Sequence, residues 1–338
     1  MEAENNIPKK SSVWSGLKEL SVANFLSICT LIILFGYIGY NGVTKRQRAA
    51  DMISDEGVID NEPVVLDEGL TQEGIHPLPA ISFEIPKEVT FAGEAVPLNI
   101  PDVHERLDKE LQINCYLHSN TIFLMKRANR WLPQMEKILH EYGIPEDFKY
   151  LPLIESNLMN VISHRDAVGY WQILKTSGKE LGLEITDEVD ERYDPLKATV
   201  AACKYLKRAY SKFGNWTMVA ASYNRGMGGM DRALDDQQVD SYYDLYLNDE
   251  TSRYVFRIIA IKEIVENPKR YGFKVNPQHL YPQESLKFVE VDETIKDLVV
   301  FAKGQGINYK LLKRHNPWLR EDRLTIKKGK VYRIAIPA

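Results

Sequence analysis

The chain has 338 residues, 44% of them apolar, which is enough to bury a sizeable core in one to three domains. A formal charge of −4 leaves no basic footprint of the kind that nucleic-acid-binding domains carry, so nucleic acid is set aside as a partner. Three cysteines, Cys29, Cys115 and Cys203, show neither metal-ligand spacing nor the density of a disulfide framework. An exported domain would permit a Cys115–Cys203 disulfide; two buried thiols are the simpler expectation.

In chain order, residues 1–20 read as a cytoplasmic N-terminal segment and 21–43 as a transmembrane anchor. The run from Val22 to Tyr40 contains no charge and is long enough to cross a bilayer as a helix. It is too long for a cleaved signal peptide and no small-x-small site follows it. Lys9, Lys10 and Lys18 before it nearly balance Lys45, Arg46 and Arg48 after it, so charge alone does not orient the span. Residues 44–100 read as an acidic tether, because Lys87 is the single base between Asp51 and Glu94 and Pro63, Pro77, Pro79, Pro86 and Pro97 break any regular pattern.

Beyond Pro101 the period becomes helical. Trp131, Met135, Ile138, Leu139 and Tyr142 share one helix face, Gly143 ends that helix, and Pro145 opens the next, which Pro152 must shorten. Residues 195–214, 217–224 and 252–267 continue the pattern. Near the C-terminus FVEV at 288–291, helical stretches around 295–301 and 309–314, and VYRIAI at 331–336 read as a single β-α-α-β module over 285–338.

LPLIES, residues 151–156, sets Glu155 behind Leu151, Leu153 and Ile154. Desolvation disfavours the charged carboxylate, raises its pKa and lets it act as a general acid toward a glycosidic oxygen. Taken alone, Glu155 also reads as a solvated glutamate at a helix end. Gly169, Tyr170, Trp171 and Gln172 would add close backbone approach, flat apolar faces and a side-chain amide, and Tyr223 and Asn224 precede a glycine-rich stretch. Other chemistries fail locally. His140–Glu141 lacks the second histidine of a zinc-protease helix, no G-x-S-x-G surrounds Ser163, and GMGG at 226–229 follows a helix and lacks the lysine of a phosphate loop.

The ordered set LPLIES, GYWQI at 169–173, DERYDP at 190–195, AACKYLK at 201–207, SYNRG at 222–226 and ETSRYV at 250–255 resembles the catalytic domain of family-1 lytic transglycosylases, in particular the membrane-bound D-type, over residues 115–275. The resemblance implies a mainly α, lysozyme-like fold of the goose-type or soluble-transglycosylase kind, and cleavage of the β-1,4 bond between N-acetylmuramic acid and N-acetylglucosamine in peptidoglycan. It implies that Glu155 is the catalytic acid/base, that Ser163 and the Tyr223 hydroxyl support it, and that Gln172 and Asn224 touch or shape the glycan site. Glu250 corresponds to a second, cleft-forming glutamate, and Gly169, Tyr170, Trp171 and Tyr254 complete the expected substrate-binding set. One departure stands out: Ser163, His164, Arg165, Asp166, Ala167 replaces a serine, proline, alanine, glycine, alanine loop, so Asp166 stands where glycine is usual. If that position needs positive φ, aspartate is among the more tolerable substitutes.

The residues from Phe288 onward, FVEVDETIKDLVVFAKGQGINYKLLKRHNPWL followed by GKVYRIAIP, resemble a divergent LysM domain. Glu293, Thr294 and Ile295 stand for the usual aspartate, threonine and leucine, Asn316 and Pro337 fall near expected positions, and the spacing around Trp318 is loose. Such modules bind N-acetylglucosamine-containing glycans, and a tethered one would raise the local concentration of wall polymer; a lobe that merely stiffens the enzyme is the alternative.

The resulting expectation is a single-pass inner-membrane protein with its enzyme part in the periplasm. It comprises a transglycosylase domain at 101–278 and a LysM-like domain at 285–338, acts on peptidoglycan glycan strands, and needs no metal or cofactor. Glu155 would protonate the leaving oxygen and then deprotonate the muramyl C6 hydroxyl, giving a 1,6-anhydro end. A wall-binding scaffold impaired at Asp166, and a hydrolytic muramidase, are the alternatives.

Overall fold

The computed structural model describes residues 81–338, which form one compact unit. The expected stub at 1–20, the span at 21–43 and residues 44–80 of the tether lie outside the described residues. Among the described residues no helix is long and apolar enough to cross a membrane.

The last part of the expected tether departs from an extended segment. Residues Thr90–Phe91 (β1) and Glu94–Ala95 (β2) form a hairpin in register Thr90↔Ala95, turned by Ala92 and Gly93 at φ 53° and 81°. Three apolar residues explain it: Val89, Phe91 and Val96 are buried in the main core, with Phe91 against Phe148 at 5.3 Å between centroids. Acidic composition masked this apolar spacing.

Helices follow. Pro101–Tyr116 (α1) begins with proline at its first position, where the missing N–H costs nothing. His118–Glu141 (α2) buries Leu124, Ala128, Leu132, Met135 and Leu139, one stripe at spacings of three and four. After Gly143, at φ 66°, a short 3-10 turn at Glu146–Tyr150 leads into Leu151–Ser156 (α3), which has Pro152 in its first turn; Pro152 therefore starts a new helix and does not bend a long one. Lys175–Glu180 (α4) is brief. Pro195–Phe213 (α5) is capped by the Asp194 carboxylate, which accepts from Leu196 N and Lys197 N, and is closed by Gly214 in the left-handed region. Trp216–Arg225 (α6) and Met227–Gln237 (α7) meet at Gly226. Asp249–Glu266 (α8) is buried on nearly all sides, through Tyr254, Val255, Phe256, Ile258, Ile259, Ala260, Ile261 and Ile264, and so forms the centre on which α1, α3 and α6 pack.

The hairpin is wired into this bundle. Glu94 accepts from Trp216 N, Thr217 N and Thr217 Oγ1 at 2.5, 2.9 and 2.7 Å, which satisfies donors at the start of α6.

The C-terminal module has the expected β-α-α-β order: Leu286–Val291 (β3), Leu298–Gly304 (α9), Tyr309–His315 (α10) and Tyr332–Pro337 (β4). Its strands pair antiparallel from Leu286↔Pro337 to Val291↔Tyr332, and its small core gathers Leu298, Leu312, Trp318, Leu324, Ile334 and Ile336. One member of that core is foreign: Val189, from the helical domain, is 2% exposed and packs there. The module is thus docked, not hung on a loose linker. The connecting segment is itself pinned, since Asn129 Nδ2 donates to Tyr281 O at 3.0 Å and Arg130 Nε to Pro282 O at 3.1 Å.

Candidate active site

Glu155 sits in the last turn of α3, a six-residue helix that the left-handed Asn157 terminates. Ser156 beside it is buried, and its hydroxyl reaches both Pro152 O at 3.1 Å and Tyr170 O at 2.9 Å, so the end of α3 is tied to the 161–174 loop. The Glu155 carboxyl borders a cleft of about 250 Å³ together with Ser163, Gln172, Tyr223, Asn224 and Glu250. Six of the ten residues expected from the sequence are therefore brought together, from α3, the 161–174 loop, α6 and α8.

Burial pushes the Glu155 carboxyl up to about 7, while a hydrogen bond from Tyr254 and the charge of Arg257 pull the other way and Glu250 adds to the rise. The Tyr254 hydroxyl donates directly to Glu155 Oε1. Arg257, one turn along α8, donates from Nη2 to Ile154 O at 2.8 Å, which fixes its charge beside the carboxyl. This arrangement keeps a sizeable neutral fraction near pH 7 and supplies two groups that stabilise the anion once the proton has left.

Four expected residues play other parts than foreseen. Trp171 is fully buried and its indole donates to Thr199 Oγ1 at 2.9 Å, so it offers no face to a ligand. Tyr170 is also buried and faces a separate hollow at the seam with the C-terminal module. Gly169, at φ 80°, is required by crowding within the protein, because a Cβ there would lie 2.1 Å from Arg192 O. Tyr254 is 1% exposed and holds Glu155, so it is not a substrate contact.

Four residues of the cleft are bonded within the protein. The Tyr223 hydroxyl donates to Trp171 O at 2.8 Å, and it is Tyr254 that binds the Glu155 carboxyl. The Ser163 hydroxyl accepts from Arg165 N and Ala167 N at 3.2 and 3.0 Å, closing a tight turn. The Gln172 amide donates to Gly169 O at 2.8 Å and Val161 O at 3.1 Å, while the residue lines the cleft. Asn224 bridges α6 to α8, donating to Glu250 Oε1 at 2.9 Å and accepting from Thr251 Oγ1 at 2.8 Å.

Asp166 adopts φ 60°, the left-handed conformation, within a loop braced by the bridges Ile162↔Val168 and Val168↔Ile173. The loop thus keeps a positive-φ corner with aspartate where glycine is usual. Sequence reasoning missed Arg257, although its position two residues beyond ETSRYV and one turn after Arg253 would have placed it on the face toward α3. Among the described residues no cluster of histidine, cysteine and carboxylate side chains could hold a metal ion.

Both the helical domain and the C-terminal module have matches among known protein families. Residues 135–245 match the transglycosylase SLT domain and residues 287–338 match the soluble lytic transglycosylase C-terminal LysM-like domain. The chain is 29% identical over 194 residues to the membrane-bound lytic murein transglycosylase D of Escherichia coli K12, covering 55% of this chain and 42% of that one. It is also 29% identical over 121 residues to a putative tributyltin chloride resistance protein of an Alteromonas species, covering 35% of this chain and 58% of the other. This chain thus spans less than half the length of the first of these relatives. A solved structure of the lytic transglycosylase Slt of Pseudomonas aeruginosa aligns at TM-score 0.33 and 19% identity over 45% of this chain and 26% of that one.

Proposed function

We propose that the protein is a peptidoglycan lytic transglycosylase in which Glu155 alone serves as acid and then base. The observation that carries this reading is the desolvated Glu155 carboxyl, raised to about 7 and opening on a cleft bordered by Gln172, Tyr223 and Asn224. With its neutral form well populated near pH 7, it can protonate the oxygen of a β-1,4 linkage between N-acetylmuramic acid and N-acetylglucosamine. As the bond breaks, the carboxylate that forms is met by the Tyr254 hydroxyl and the Arg257 charge, and this anion then takes the proton of the muramyl C6 hydroxyl as its oxygen closes on C1. The product is a 1,6-anhydro end and no water is consumed.

Glu250 faces the cleft but is exposed and bonded to Asn224, which supports a role in shaping the site and not that of a second catalytic carboxylate. A helical domain that takes in the hairpin at 90–95 along with residues 101–278, a module at 285–338, an anchor at 21–43 and a periplasmic location belong to the same reading. They are supported by the uncharged run from Val22 to Tyr40 and by a substrate that lies outside the inner membrane.

Purified murein provides the test. The wild-type protein should release muropeptides lighter than hydrolysed ones by one water in mass spectra, and Glu155→Gln should reduce release about 10³-fold. Fragments carrying the extra water would identify a hydrolytic muramidase, and no release from either form would leave a wall-binding scaffold.

A further inference from the structure

The wall of the cleft formed by residues 161–174 is bonded within itself, through Ser163 N to Ala167 O, Gly169 N to Val161 O and the Ser163 and Gln172 side chains. It carries left-handed corners at Asp166 and Gln172, exposes Ile162 and Leu174, and is internally joined by two isolated bridges. Two of its carbonyls, one mid-loop and one near its end, turn to one side chain: Arg192 Nη1 donates to Asp166 O and Ile173 O, both at 3.2 Å. The guanidinium can be aimed so because Asp190 takes its other edge, at 3.0 Å to Nε and 2.7 Å to Nη2, and both side chains are nearly buried.

The residues just before this pair are held by the C-terminal module. Asp190 N donates to Trp318 O at 2.9 Å and Arg320 N donates to Glu188 O at 2.8 Å, an antiparallel bridge centred on Val189 and Leu319. Val189 fills the module's core. The Glu188 carboxylate accepts from Thr325 N at 2.7 Å and Arg323 Nε at 2.8 Å, and Glu184 accepts from the Tyr332 hydroxyl at 2.9 Å and pairs with Lys330. Arg320 covers the Tyr193 ring at 3.8 Å from the other side. The segment 184–193 is thus gripped along its length by the module, and two residues past the bridge it reaches into the cleft wall.

We propose that Arg192, aimed by Asp190, is a positioning residue for the cleft wall at 161–174, and that docking of the C-terminal module on residues 184–190 sets that position. The module is then part of the catalytic domain's frame, whatever it also binds. The inference rests on the proposed function only for the consequence of moving the wall, not for how the wall is held.

The test uses the full chain and two measurements, hydrogen exchange of the 161–174 amides and release of fragments from purified murein. The double variant Glu184→Ala, Glu188→Ala loosens the grip, Glu184→Gln, Glu188→Gln removes the charge but keeps one accepting oxygen at each residue, and Arg192→Lys leaves the module docked but cannot span Asp190 and both carbonyls. The alanine pair and Arg192→Lys should each speed exchange of the wall and lower the rate at saturating murein about tenfold, as displaced catalytic walls do, with the half-saturating murein concentration unchanged. The glutamine pair should restore most of both. A mere loss of stability would lower the melting temperature without this split between rate and saturation. Unchanged exchange of 161–174 in the alanine pair and in Arg192→Lys overturns the proposal, as does a raised half-saturation with intact rate, which would make the module a binding device alone. If the wild type releases nothing from murein, the proposed function fails and the exchange measurement still decides the positioning.

Discussion

At Glu155 two opposing terms meet. Burial raises the carboxyl to about 7, and the Tyr254 hydroxyl and Arg257 limit the rise. Replacing Tyr254 by Phe removes a donor that favours the anion, so the alkaline limb of the pH–rate profile should move up by about one unit and the maximal rate should fall about tenfold. Linkage adds a stability effect. The native pKa lies above the unfolded value, so the folded state holds the extra proton between about 4.5 and 7, and stability declines as pH rises through that window. Above pH 7 the ionised side chain then costs on the order of 3 kcal/mol. Glu155→Gln cannot ionise, and thermal melts should show it more stable than wild type at pH 8, with the gap closing by pH 4. A gap independent of pH would show that the carboxyl is not desolvated.

Between elements, two contacts carry more than their sequence context promises. Gly169 packs against Arg192 O with no room for a Cβ and at a φ that disfavours one, so Gly169→Ala should lower stability by about 3 kcal/mol or more, read from the denaturation midpoint. Glu94 reaches across from the hairpin to the first turn of α6, and Glu94→Ala should cost about 1–2 kcal/mol, the usual effect of losing a cap. Helix identity was legible because apolar residues recur every three or four positions and Gly143, Pro195 and Gly214 punctuate them. The hairpin was not, because two-residue strands carry no alternation long enough to read and the surrounding charge resembles a linker.

Across the domain as a unit, the docked module predicts cooperative unfolding. With Val189 in the second core and residues 184–190 shared between the two parts, calorimetry of the full chain should show the helical domain and the module melting in one transition, and two separated transitions would contradict the docking. Cys115 and Cys203 are both buried and free, and burial pushes each thiol up to about 12. They should resist thiol reagents until the protein unfolds.

Local pattern was sufficient for what depends on neighbours along the chain. It marked helix periods, caps, the β-α-α-β order of the C-terminal module, and a carboxylate set behind an apolar run. It also brought Gln172, Tyr223 and Asn224 to attention, while Glu250 entered only through the family resemblance. Long-range packing was needed to tell a cleft residue from a core one: Trp171 and Gln172 are adjacent, yet one lies wholly in the core and the other borders the cleft. It also assigned the partner of Glu155 to Tyr254, 99 residues away, and docked the expected tethered module against the helical domain. Periodicity reports which side of an element is apolar, whereas a hydrogen bond or a buried contact between distant segments exists only when the packed chain brings them within reach.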